Sequence, residues 1–429
     1  MTDLVNIREL RPEMLLSRDL RAYNGRFLLP KDLRLTAQHI KIMKMWGVVE
    51  APVQNAAPVH RDPESSAGPS LADLERLQKQ VRGRFCHASL DHPAMSELYQ
   101  CAVNRMVESG QGGNGRTGVT QTPAMSKGKG SVFPETAGLP SRFVPSDLFW
   151  DNVTLPTLSG VFAKINEAVM NPRSSAYEIA TVISKDASLA VRLLKIANSA
   201  FYGFPSRIST IQQAVTIIGT KQLASLTYAA NIIDVFRKIP ANIVDMASFW
   251  RHSVACGIFA RILAGYRNIQ NTERLFVAGL LHDIGRLLLY QYASADMGCL
   301  IARARSDSDL LYKLEFEALN MDHTAMGARL VKKWKLPALL EDIVDCHHTP
   351  QKSCNGIETA IVHIADIMTN AIGIGSSGES LVPPLDLQTW DKLGLSEHTL
   401  SSTIQQMDEQ MKDVFNIFFP DEKQTRQYH

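Results

Sequence analysis

No two cysteines in this 429-residue chain stand as a CxxC pair. The six present, Cys86, Cys101, Cys256, Cys299, Cys346 and Cys354, are scattered. That excludes a zinc knot or a disulfide framework and fits the reduced thiols of a cytosolic protein. Charge of one sign is also missing: 45 basic residues face 43 acidic ones, a net of +2. The balance gives no general pull toward nucleic acid or an anionic membrane. Long apolar runs are absent as well. The richest, Leu275 to Tyr290, is broken by His282, Asp283 and Arg286, well short of the roughly 20 apolar residues a membrane helix requires. The first residues carry charge from Asp3 onward with no apolar leader. The expectation is a cytoplasmic protein with no membrane partner and no nucleic-acid partner. From about Ser146 onward strand-type alternation is lacking, and no fixed-period repeat occurs anywhere.

What remains is an ordinary globular composition, 45% hydrophobic and 21% charged, in a chain long enough for two or three domains. Near the start, apolar segments Val5–Leu10 and Met14–Leu20 precede Asn24-Gly25 and then Phe27-Leu28-Leu29. Asn-Gly between such runs favours a tight hairpin, because both residues tolerate positive φ. Thr36 can cap a helix running to Met45, ended by Gly47. Residues 1–54 therefore read as a small α+β module, and 51–70, rich in Pro, Ala and Ser, as a connector. Helical spacing returns over 70–108, where Asp91-His92-Pro93 opens a second helix. Residues 109–145 are rich in Gly, Ser and Thr and read as a flexible linker, placing the main boundary there. Residues 146–429 are helical in pattern, with apolar stripes such as Leu158, Phe162, Ile165, Val169 and Leu189, Leu193, Leu194, Ala197. The tail from Leu385 to Phe419 continues so, packing on the core or between subunits.

Six of the twelve histidines lie between His252 and His363. His252, the His282-Asp283 pair, His323, His347-His348 and Asp366 sit in apolar helical contexts. A buried carboxylate is costly unless paired or metal-bound, and divalent metals take imidazole and carboxylate ligands from several helices. These residues are candidate ligands for iron, manganese, zinc or magnesium. Consecutive helical residues diverge by roughly 100°, so only one of His347 and His348 is expected to face a site. His363, one turn before Asp366, is expected to pack beside it.

The stretch Asp186 to Gly203, with Ala197-Asn198-Ser199-Ala200-Phe201-Tyr202-Gly203, followed by Ile211 to Gly219, resembles the N-terminal half of an HDOD domain. Trp250-Arg-His-Ser253, Ala278 to Gly285, Met321 to Gly327 and Trp334 to Pro337 resemble its HD half. The resemblance spans Leu155 to about Asn370 and implies an all-helical domain. Segments of 1–54, among them Leu10 to Met14 and Asn24 to Leu29, resemble the module ahead of HD-GYP phosphodiesterases, departing at Glu13 where glycine is usual. In HD enzymes, His252, His282, Asp283 and Asp366 would bind metal, with Asp283 able to bridge two ions. His323 and His347 or His348 would match the further ligands of a binuclear centre. Asp283 would then be the catalytic carboxylate, if the centre is active. Two departures bear on activity: Ser248 stands one turn before His252, and no Gly-Tyr-Pro signature follows His348. The resemblance implies a bacterial regulatory output protein that works through a signalling partner or self-association. A metal-dependent phosphohydrolase acting on a nucleotide or phosphoester, or a pocket that only holds a nucleotide, are the alternatives. The aromatic turn reads as packing, with a docking surface as the other reading.

Overall fold

The N-terminal chain folds around two short antiparallel ribbons, one joining strands far apart in sequence and one joining near neighbours. In the computed structural model, residues 2–7, 10–21, 27–45, 48, 50–54, 70–111, 155–157, 160–171, 173–199, 201–202, 204, 207–236 and 243–419 are described. β1 (Thr2–Asn6) pairs antiparallel with β4 (Glu50–Gln54), and β2 (Leu20–Arg21) pairs antiparallel with β3 (Phe27–Leu29). Bridges Leu15 to Arg34 and Leu16 to Val53 tie the ribbons together. β4 takes the first residues of the stretch expected as connector, because pairing with β1 satisfies backbone groups that Ala51 and Val53 carry into a core. That core centres on Leu16, Leu35, Met43 and Val53. α1 (Ala37–Met45) starts where Thr36 Oγ1 accepts the His39 amide at 3.2 Å. The Asn24-Gly25 turn and Gly47 lie outside the described residues. Glu13 holds φ 77°, in the left-handed region, which is why glycine suits that position.

Among the described residues from 70 onward the elements are helices and no strand occurs, as the patterning anticipates. α2 (Leu71–Arg84) and α3 (Pro93–Gln111) precede α4 (Gly160–Met170), α5 (Ala176–Ser184), α6 (Ala187–Ala197), α7 (Ile211–Ile218) and α8 (Thr220–Val235). Then follow α9 (Met246–Tyr266), α10 (Glu273–Leu281), α11 (Ile284–Tyr292), α12 (Ser294–Asp307), α13 (Leu311–Leu319) and α14 (His323–Lys333). α15 (Ala338–Cys346), α16 (Gly356–Ile372), α17 (Leu387–Leu393) and α18 (His398–Phe418) close the chain. No helix among the described residues is long and apolar enough to cross a membrane. Starts are set by short polar caps: Ser175 with Glu178 makes a capping box on α5, and Asp186, Thr210, Asp245 and Asp322 cap α6, α7, α9 and α14. One hydrophobic core runs through α2 to α18. The helical pair α2–α3 contributes Val81, Phe85, Met95 and Leu98 to it, and Arg105 on α3 makes a bidentate pair with Asp408 on α18 at 2.8 and 2.9 Å. The linker expected at 109–145 lies almost wholly outside the described residues.

Candidate metal centre

α9 and α16 run through the middle of the core and carry His252 and Asp366. α10 ends at Leu281, and the chain turns through His282 and Asp283 before α11 begins. Asp322 then holds the first turn of α14, accepting the Thr324 and Ala325 amides at 3.1 Å, and so aims His323 from the helix start. Gly285 lets α11 lie directly on that turn. A Cβ there would collide with the His323 carbonyl and come within 2.6 Å of the Gly327 amide nitrogen. No side chain fits between the two backbones.

The side chains converge in two neighbouring groups, with Asp283 at their junction. His252, His282 and Asp366 form one, and Asp283, His323, His347 and His348 form the other. Asp283 Oδ2 lies 3.2 Å from His282 Nε2 and 3.6 Å from His252 Nε2. Asp366 Oδ1 lies 3.3 Å from His252 Nε2 and 3.5 Å from His282 Nε2, and the two imidazole nitrogens are 3.3 Å apart. On the other side, Asp283 Oδ1 is 3.0 Å from His323 Nε2 and 3.8 Å from His347 Nε2. Two ligands of a tetrahedral ion at 2.0–2.1 Å stand about 3.3 Å apart. The donor spacing is that of a coordination shell, and Asp283 presents one oxygen to each group.

Three of the imidazoles are held by their other nitrogen. His282 Nδ1 meets the Gly279 carbonyl at 2.7 Å, His347 Nδ1 the Val344 carbonyl at 2.9 Å, and His323 Nδ1 the Glu315 carboxylate at 2.6 Å. Each of those nitrogens therefore carries a hydrogen, and each Nε2 faces inward, as metal-binding histidines are oriented. Asp283 Oδ1 accepts no well-aligned hydrogen bond. The donor set and this unsatisfied buried oxygen fit a divalent ion at either group.

Burial and charge sort the protonation states. Burial would raise the Asp283 carboxyl, but Arg286, His282 and His323 outweigh it and hold it well below the usual carboxylate range. Asp366 is likewise held low against its burial, by hydrogen bonds from His252 and His282. Burial pushes His347 and His348 down, toward the neutral form a metal requires. Burial and Arg286 press His323 down too, yet Glu315 and Asp283 prevail and bring it to about 9.

All the expected ligands come together, and one expectation is corrected. His347 and His348 both belong to the second group. α15 ends at Cys346, so the pair leaves the helix instead of diverging around it, and the rings sit 4.1 Å apart. His348 also stacks on Tyr312 at 4.2 Å. His363 stays outside the ligand groups: its Nδ1 meets the His347 carbonyl at 2.7 Å and its Nε2 accepts the Asp386 amide. Sequence reasoning missed Arg286, Glu315 and Ser377. Arg286 donates to Asp283 at 3.1 Å, Glu315 at 3.2 Å and Ser377 at 2.6 Å, all fully buried. A signal for Glu315 was present, since it stands on the apolar stripe of Leu311, Leu314, Ala318 and Leu319.

Residues 155–350 match the HDOD domain family. This part of the chain is an HDOD domain. An HDOD domain protein of unknown function from Geobacter sulfurreducens shares the fold at 21% identity, with a TM-score of 0.55 over 64% of this chain and 97% of that one. An uncharacterized protein of Treponema pallidum (strain Nichols) is 26% identical over 196 residues, 45% of this chain. The match spans 37% of the Treponema protein's length. Within the HDOD domain the Asn198 turn is a packing element. Asn198 Nδ2 donates to the Leu194 and Ile208 carbonyls and its Oδ1 accepts the Ile208 amide, each at 2.8 Å. Phe201 and Tyr202 are only 2% and 8% exposed, with the Arg261 guanidinium 3.8 Å over the Phe201 ring. Burial takes these aromatics away from any docking surface. Asp366 lies beyond the family match, on the helix that completes the centre.

Proposed function

We propose that this chain is a signalling protein whose HDOD domain holds a divalent metal and acts by contact, with a signalling partner or a second copy. The observation that carries this reading is burial of the coordinating side chains. His282, His323 and His347 are 0% exposed and Asp283 is 2% exposed. A centre enclosed in this way ties α9, α10, α11, α14, α15 and α16 to one another, and its influence runs inward to helix arrangement. A bound divalent ion there would neutralise Asp283 and Asp366 and cross-link the helices; zinc, iron, manganese and magnesium suit the donors in decreasing order of imidazole preference. The test is crosslinking and pull-down with the full chain, metal-loaded and metal-stripped. A partner, or a dimer, captured only in the loaded state supports the reading. Equal capture in both states, or none, contradicts it.

A second reading, a metal-dependent phosphohydrolase, is favoured by one feature: Asp283 offers an oxygen to each ligand group, the arrangement a two-metal hydrolase uses. Arg286, with one guanidinium nitrogen unpaired among the described residues, stands beside it as a cation for a phosphoryl oxygen. Turnover on a panel of nucleotides and phosphoesters with Mn²⁺ or Fe²⁺, lost in Asp283→Asn, would establish it. An inert panel would remove it.

A further inference from the structure

Between α16 and α17 the chain crosses from Gly373 to Asp386 without helix or strand. Near its start this segment lies on α9 beside a ligand. Ser376 donates its amide to the Ser248 carbonyl at 3.2 Å. Gly375, at φ 64°, leaves no room for a side chain, since a Cβ would strike that same carbonyl and come within 2.6 Å of the His252 amide nitrogen. Its middle lies on α11. Ser377 Oγ accepts from Arg286 at 2.6 Å, and the Ser377 carbonyl accepts from Tyr290 Oη at 2.5 Å. Gly378, at φ 115°, packs against that same hydroxyl. Glu379 then accepts the Leu311 amide at 2.8 Å, which fixes the start of α13.

The same segment is anchored to the helical pair that precedes the linker. Val382 donates its amide to the Arg84 carbonyl at 2.8 Å. The Arg84 guanidinium donates to the Asn370 and Ala371 carbonyls at the end of α16, the helix carrying Asp366. Residues 373–376 and 380 are half-buried, with solvent on their outer side, while Ser377 is 1% exposed. The strap is thus an outer wall of the centre, held near the ligands by buried polar contacts to Arg286 and Tyr290 and farther on by Val382 in the core. The ligand-bearing helices around it are held by apolar packing. Of the walls around the centre the strap is the one without helix or strand, and a segment of that kind opens at lower cost than packed helices.

Resting on the metal-centre reading above, we propose that Gly373–Asp386 is a gate over the centre, latched by Ser377 to Arg286 and Tyr290. Metal enters and leaves when the latch opens, and the Arg84–Val382 anchor couples that opening to α2.

The experiment uses the full chain loaded with Co²⁺, mixed with increasing EDTA, and follows the visible cobalt bands. A gate makes the release rate level off at high chelator, because strap opening becomes limiting. A double variant, Ser377→Ala with Tyr290→Phe, checked by circular dichroism and thermal melting, raises that plateau about tenfold, the worth of one or two ordinary hydrogen bonds. Release strictly proportional to EDTA in the unaltered protein overturns the gate, and that measurement needs no variant. So does a plateau that the folded double variant leaves unchanged. Failure of the unaltered chain to retain Co²⁺ at all overturns the metal reading itself, and the gate with it.

Discussion

Nε2 of His323 faces Nε2 of His347 across 3.3 Å, while the Nδ1 of each ring is already engaged, by Glu315 and by the Val344 carbonyl. With hydrogens on Nδ1 alone, two lone pairs would point at each other and at Asp283 Oδ1. Such an arrangement in a dry interior calls for a cation between them, a shared proton or a metal ion.

Glu315 should matter for metal without touching it. Its carboxylate orients His323 and meets Arg286, which in turn meets Asp283. Glu315→Gln is expected to weaken metal affinity about 10- to 100-fold, as loss of an outer-shell partner does. Competition titration against a chromogenic chelator measures this. Unchanged affinity in a folded variant would remove Glu315 from the account.

Gly285→Ala should damage both fold and centre, because the new methyl meets α14 backbone at His323 and Gly327. Overpacking of this kind costs about 1–3 kcal/mol. Urea unfolding should show a lower midpoint together with reduced metal content. A midpoint equal to that of the unaltered protein would contradict the close approach of α11 and α14.

Asn198→Ala separates folding from metal binding. The change removes three hydrogen bonds and strands the buried Ile208 backbone. A loss of about 1–3 kcal/mol is expected, with metal content per folded chain unaltered. Loss of metal without loss of stability would point to a role the packing does not explain.

Arg84→Met tests whether α2 belongs to the same folding unit as the C-terminal helices. The side chain leaves two carbonyls of α16 without their donor. A drop of about 1–3 kcal/mol in a single transition is expected. No change would detach α2 from α16.

The candidate ligands were legible because each is a charged or titratable residue in an otherwise apolar helical context. His252, His282, Asp283 and Asp366 stood out against Val, Leu, Ile and Ala neighbours, and the structure brings all four together. The pairing of His347 with His348 was not legible, since it depends on α15 stopping at Cys346. Arg286 looked like a mere interruption of an apolar run; only the fold brings Glu315 and Ser377 to it, from 29 and 91 residues away. The strap was equally hidden, because Gly373 to Ser380 has the composition of any exposed loop. The N-terminal strands were partly visible, whereas β4 gained its conformation from pairing with β1, from 44 residues away at Asn6 and Glu50 to 52 at Thr2 and Gln54.

The most direct test is metal content of the full chain purified without chelator, beside a His282→Ala/Asp283→Ala variant shown to be folded by circular dichroism. The account predicts near-stoichiometric iron, manganese or zinc in the unaltered protein and its disappearance from the variant. Metal-free protein that stays so after incubation with each ion would contradict it.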